Sequence, residues 1–190
     1  MMNLGSKGNY NRILAVSGGS VSLKEKKKVP IVGVLWRETV FEKCFITYSE
    51  TDPKPQEITK KLINLVDEKY FTEKQVKVVF LFNNIFAGLG IIDLHRLQNT
   101  WNAPIIVVSD KEPDTDKVLK LIQDLKYSSE YITILQQNPK NWIHLQDTRL
   151  YVLTMSISES EMKQLIKDLQ IVGHLPEPLR IADIIAKAIH

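Results

Sequence analysis

The chain has 190 residues, 44% hydrophobic and 25% charged, with a formal net charge of +3. These values exclude a disordered or low-complexity chain and fit a globular protein, while the mild positive charge suits an anionic partner without selecting one. The single cysteine, Cys44, excludes an internal disulfide framework and a multi-cysteine zinc site, and its apolar-leaning surroundings suggest a half-buried thiol rather than a nucleophile.

Residues 1–11 are rich in Gly, Asn and Ser, and a disordered N-terminus is expected there. The opening MMNLGSKGNYNR lacks the apolar core of a signal peptide. No apolar run reaches the ~20 residues of a membrane span. The expectation is a cytoplasmic protein with no membrane partner and a single domain over residues 12–190.

Arg12–Ser17 is a short apolar run ending at Gly18-Gly19 and reads as a buried strand. Val29–Trp36 is a second strand and Cys44–Tyr48 a third, with Arg37–Lys43 turning between them. Short connections make these an antiparallel meander. After Thr51–Pro55, the spacing of Ile58, Leu62, Leu65 and Val66 predicts a helix. Val76–Phe82 is a continuous apolar run, the pattern of a strand buried on both faces. Leu89–Thr100 reads as a helix and Pro104–Ser109 as another buried strand. Pro113–Leu125 and Ser128–Gln136 read as helices, and Leu150–Ser156 as a late strand. Ser158 and Glu161 form a capping box for a helix to Leu169, closed by Gly173. Pro176-Glu177-Pro178 opens a final helix to Ile189, with Leu179, Ile181, Ile184, Ile185 and Ile189 as its apolar face.

A meander followed by β-α-β-α-β units makes a mixed sheet with helices on both faces and a helical C-terminal part. The strands ending at Ser17 and Phe82 are then parallel neighbours. Ligand sites in such sheets lie beyond the carboxyl ends of the strands, which brings Ser17–Ser20 to face Asn83-Asn84.

VPIVGVLWR, FAGLGIIDLHRL, APIIVVSDKEPD and GHLPEPLRIADIIAKAI occur in that order. Together they resemble an archaeal domain-of-unknown-function family related to endonuclease V, over about residues 12–189. The resemblance implies an α/β, ribonuclease H-like fold. It also implies carboxylates at the ends of the first and fourth strands, holding a divalent ion that activates water against a phosphodiester. In that family the first strand ends in Asp-Asp-Gly and the fourth in Leu-Asp-Gly. The matching residues here are Ser17-Gly18-Gly19 and Leu81-Phe82-Asn83. The acid positions are therefore Ser17, Gly18 and Phe82, and Asn83 is no better as an anion. Magnesium takes oxygen ligands, usually with one or two carboxylates among them. Serine and asparagine offer oxygen without charge, and phenylalanine offers no donor. The expectation is a catalytically degenerate nucleic-acid-binding protein without a resident cofactor.

Two other readings stay open. A metal-dependent endonuclease could rebuild its site from Asp52, Asp110 and Asp183, and magnesium or manganese would then be its cofactor. Alternatively the chain is a protein-interaction or assembly subunit with no nucleic-acid role. A homo-oligomer is compatible with any of these. DNA or RNA is the partner expected for the favoured reading. The lysine cluster Lys24, Lys26, Lys27 and Lys28 would lie along its backbone, with Arg37 extending the basic path and Trp36 near the cleft to stack on a base. Gly88-Leu89-Gly90 departs from the dinucleotide fingerprint, so no nucleotide cofactor is expected. The four histidines are scattered, with no HxxxH pair.

Overall fold

The computed structural model describes residues 12–19, 28–51, 53–73, 76–123 and 125–189. Strand β1 (Ile13–Gly18) shows why the sheet lies at the centre. Ile13 and Ala15 face one hydrophobic cluster and Leu14 and Val16 the other, as the two-residue period of a strand requires. The next elements are β2 (Val29–Arg37), β3 (Val40–Ser49), α1 (Glu57–Leu65), α2 (Lys69–Thr72) and β4 (Val78–Phe82). A small hairpin follows, β5 (Ile85–Phe86) and β6 (Gly90–Ile91), then α3 (Leu94–Trp101) and β7 (Ile105–Ser109). The chain continues through α4 (Thr115–Ile122), α5 (Ser128–Gln137), β8 (Ile143–Leu145), β9 (Leu150–Met155), α6 (Glu159–Leu169) and α7 (Glu177–Ala188).

Seven strands form one sheet in the order β3-β2-β1-β4-β7-β9-β8. The meander β1–β2–β3 is antiparallel, β1 and β4 are parallel, and so are β4 and β7. The late strands β9 and β8 extend the sheet antiparallel. Ile58 and Leu62 of α1 and Leu94, Leu97 and Trp101 of α3 belong to the cluster on one face. Met162, Leu165 and Ile166 of α6 and Leu179, Ala182 and Ala186 of α7 belong to the cluster on the other. A third cluster joins α4 and α5 to Ile91. No helix among the described residues is long and apolar enough to cross a membrane.

The Ser158 capping box forms as expected, with the hydroxyl accepting from the Glu161 amide and the Glu161 side chain accepting from the Ser158 amide. Other expectations need correction. The turn after β2 is short, because β3 already begins at Val40 and a bulge beside Leu35/Trp36 absorbs the extra residue. Helix α3 starts at Leu94 rather than Leu89. Ala87 and Gly88 take positive φ values of 49° and 87°, which turns the chain into the β5–β6 hairpin. Asp93 then caps the helix by accepting from the Arg96 amide. Gly90 has packing as its reason, since a Cβ there would lie 2.4 Å from Ile58 Cγ1 and 2.6 Å from the Phe86 carbonyl oxygen. The buried face of α7 is Leu179, Ala182, Asp183 and Ala186. Ile184 is half exposed. Small side chains let this helix lie close to β1, and the isoleucines flank the contact.

Candidate functional site at the carboxyl ends of β1 and β4

Parallel pairing puts Val16 beside Leu81, so Ser17 and Phe82 are the next residues on two neighbouring strands. Strand alternation sends both side chains to the face covered by α7. Ser17 is fully buried, and Phe82 packs against the cluster that contains Ala182 and Ala186. The Ser17 hydroxyl donates to Asp183 Oδ1 at 3.2 Å. The other Asp183 oxygen accepts from Lys187 Nζ at 2.6 Å. Asp183 is only 8% exposed. A buried carboxylate needs a hydrogen-bond donor and a countercharge, and Ser17 and Lys187 supply them.

The two glycines after Ser17 sit in close quarters. A Cβ on Gly18 would lie 3.2 Å from Phe86 Cγ. A Cβ on Gly19 would lie 2.8 Å from Pro30 Cγ and 3.0 Å from the Ala186 carbonyl oxygen. The Gly19 amide donates to the Pro30 carbonyl at 2.8 Å. The described ends of the lysine-rich connection, Gly19 and exposed Lys28, therefore both lie at this end of the sheet. Lys24, Lys26 and Lys27 lie outside the described residues.

On β4, Asn83 follows Phe82 with φ = 70°, a left-handed conformation that favours Gly and that Asn tolerates better than most residues. Its amide donates to the Val108 carbonyl at 2.8 Å. Asn83 and Asn84 line a cleft of about 330 Å³ with Ser109, Lys111, Asp114 and Trp142. Ser109 is committed to the turn, donating to the Lys111 carbonyl at 2.6 Å. Asp114 caps α4 through the Lys117 amide at 2.8 Å.

Asp110 is exposed just beyond β7, and Asp52 lies outside the described residues. Among the described residues no group of three His, Cys, Asp or Glu side chains is placed to share an ion. Among the described residues, Ser17 and Asp183 offer one hydroxyl and one carboxylate already held by an ammonium, beside the Phe82 ring. That set does not match the oxygen ligands a magnesium or manganese ion takes. Trp36 and Arg37 are corrected in position. Trp36 pairs with Ile13, at the opposite end of β1 from Ser17. It is 5% exposed, and its indole N–H donates to the Glu38 carbonyl at 3.1 Å.

Lys187 is the residue that sequence reading passed over. The only local signal was an acid followed four positions later by a lysine, an ordinary stabilising pair on a helix surface. Elsewhere, burial raises the pKa of the Cys44 thiol. The hydrogen-bonded Arg180 guanidinium holds the Glu177 carboxyl below its ordinary value.

A profile of the family described as endonuclease dU matches residues 9–190. The chain belongs to the endonuclease dU family. Among the relatives of this chain, a UPF0215 protein of Thermococcus kodakarensis is 29% identical, over 94% of this chain and 91% of its own. The crystal structure of a protein of unknown function from Archaeoglobus fulgidus superposes with a TM-score of 0.81 and 25% identity, covering 94% of this chain and 97% of that one. Endonuclease V of Ciona intestinalis, solved with a 24mer DNA containing an inosine followed by a ribo-adenosine, gives 0.59 at 11% identity. Coverage there is 94% of this chain and 84% of that one, and the likeness is one of fold. The fold is ribonuclease H-like.

Proposed function

We propose that this endonuclease dU family protein binds nucleic acid at the carboxyl ends of β1 and β4 and has lost metal-dependent cleavage there. The observation that carries the reading is the Ser17–Asp183–Lys187 cluster, with the Phe82 ring beside it. Where the related pattern has acids on both strands, this site holds a hydroxyl and a phenyl ring. The left-handed φ of Asn83 supports matching it to the glycine of Leu-Asp-Gly, and so matching Phe82 to the acid. Without a divalent ion there is no ordinary route to a hydroxide poised against a phosphodiester.

Nucleic-acid binding is supported by the family description and by the DNA bound to the Ciona neighbour. Exposed Lys28 stands at the proposed mouth, and Lys24, Lys26 and Lys27 precede it in the chain. A rebuilt acid site has less support, because no group of three acid, histidine or cysteine side chains gathers among the described residues and Asp183 is already paired with Lys187. The protein is read as cytoplasmic, with residues 12–190 as a single domain.

The test is one gel with labelled DNA and RNA oligonucleotides, single- and double-stranded, plain or carrying deoxyuridine or inosine. Each is incubated with manganese, magnesium or chelator. A mobility shift without cleavage, indifferent to chelator, is the expected result. Metal-dependent cutting that disappears in Asp183→Asn or Asp110→Asn would overturn the loss of chemistry. Absence of any shift would overturn the binding.

A further inference from the structure

We infer that the Lys187 ammonium stands where a divalent ion would act, neutralising Asp183 and offering a metal-independent contact to a backbone phosphate. This rests on the proposed nucleic-acid reading for its second half. Its first half stands on geometry alone.

Asp183 is a buried carboxylate on the α7 side of the Ser17 end. A buried carboxylate requires a cation. A nuclease would supply that cation as a metal ion, whereas this chain supplies it from one turn further along the same helix. Lys187 Nζ lies 2.6 Å from Asp183 Oδ2, the short distance of a charge-assisted bond. Position favours the lysine as well. Lys187 sits in the last turn of α7, where the helix dipole attracts positive charge.

The two ends of this pair differ in exposure. The Asp183 side chain is 11% exposed and the Lys187 side chain 54%. The carboxylate is thus turned into the protein against Ser17, while the lysine reaches outward from it. An ammonium carries three donors, and Asp183 takes one among the described residues. The residue just before Lys187, Ala186, directs its carbonyl oxygen toward Gly19. The ammonium therefore lies at the end of the sheet from which the lysine-rich connection departs. A phosphodiester carries one negative charge and non-bridging oxygens that accept hydrogen bonds from such a cation. No bond to the phosphate breaks, so the contact holds the strand without cutting it.

The experiment has two arms. Thermal melting is followed for wild type, Lys187→Met, Lys187→Arg and Lys187→Met/Asp183→Asn, each in chelator and in millimolar manganese. Wild type and Lys187→Arg should melt alike in both. Lys187→Met should melt lower in chelator and recover several degrees with manganese, and the double variant should lose that response. A wild-type melt raised by manganese, or a Lys187→Met melt that ignores it, overturns the replacement. In the second arm, binding of fluorescein-labelled single-stranded DNA and RNA is titrated in chelator at several salt concentrations. Lys187→Met should bind several-fold more weakly, with a salt slope smaller by about 0.7, one phosphate contact on a single strand. Lys187→Arg should keep most of the affinity. Unchanged binding by Lys187→Met overturns the phosphate contact. If wild type binds neither nucleic acid, the contact falls together with the nucleic-acid reading, and the melting arm still decides the replacement.

Discussion

Placing an acid at the end of β1 should destabilise the protein, and the size of the loss follows from the Asp183 geometry. Ser17 is fully buried, and its hydroxyl is 3.2 Å from Asp183 Oδ1. Ser17→Asp therefore sets a second carboxylate against the first. Two like charges ~4 Å apart at an effective dielectric of ~20 repel by about 4 kcal/mol. Lys187, at 2.6 Å from the other oxygen, offsets part of this, leaving an expected net loss of about 2–3 kcal/mol. A chain of this length shifts its melting temperature by roughly 2–4 °C per kcal/mol, so a drop of roughly 4–12 °C is expected in chelator at neutral pH. Ser17→Asn is the control for size, since it has the same shape without the charge. The pH dependence has a definite sign. A carboxyl facing another carboxylate titrates above its ordinary value, so the penalty is present at neutral pH and shrinks as acid protonates the pair. Differential scanning fluorimetry of both variants across pH provides the readout. If Ser17→Asp and Ser17→Asn melt together at neutral pH, Asp183 is not an ionised neighbour of this position, and the electrostatic argument fails.

Three further outcomes follow from other parts of the fold. Asn138 is buried; its amide donates to the Ile92 carbonyl at 2.7 Å and its oxygen accepts from the Leu94 amide at 3.0 Å. Asn138→Leu strands both backbone groups and should cost about 2–4 kcal/mol, with faster hydrogen exchange at the Leu94 amide. In Gly90→Ala the new methyl meets the Phe86 carbonyl oxygen at 2.6 Å and Ile58 Cγ1 at 2.4 Å, so a loss of about 1–3 kcal/mol by chemical denaturation is expected. Glu177 receives two bonds from Arg180, at 2.8 and 2.6 Å, which hold its pKa below the ordinary value. Its contribution is therefore present above the unfolded pKa of about 4.3 and disappears as pH falls through the folded value. Glu177→Gln should melt lower than wild type at neutral pH by about 1 kcal/mol of stability, and the gap should close in acid.

The sheet was legible because its central strands are continuous apolar runs, a pattern that both fixes their burial and marks their ends. Ser17-Gly18-Gly19 and Phe82-Asn83 came out side by side for that reason. The β5–β6 hairpin was not legible, since strands of two residues carry no period. The buried face of α7 was legible in part: Leu179, Ile181 and Ile185 pack on the core as their spacing suggests, Ile184 and Ile189 are exposed, and close approach to β1 selects Ala182 and Ala186. Trp36 was misplaced along its strand. Its type suggests base stacking, but only the pairing with Ile13 shows which end of the sheet it occupies. Lys187 was invisible as a site residue because its role depends on Ser17 burying Asp183, a contact across 166 positions.

The contact between Gly18 and the Phe86 ring bears on the order in which substitutions can accumulate. At position 18 the first carbon of any side chain already touches the ring at 3.2 Å, and a carboxylate extends further still. An acid at this position is accommodated only once residue 86 has shifted or shrunk, and Phe86 belongs to the main core cluster. The same holds on the neighbouring strand, where Phe82 must leave the α7 cluster before an acid can replace it. Each step toward an acidic centre thus lowers fitness for folding before any charge cluster is complete. Acids at these positions therefore demand several substitutions made together, not one at a time.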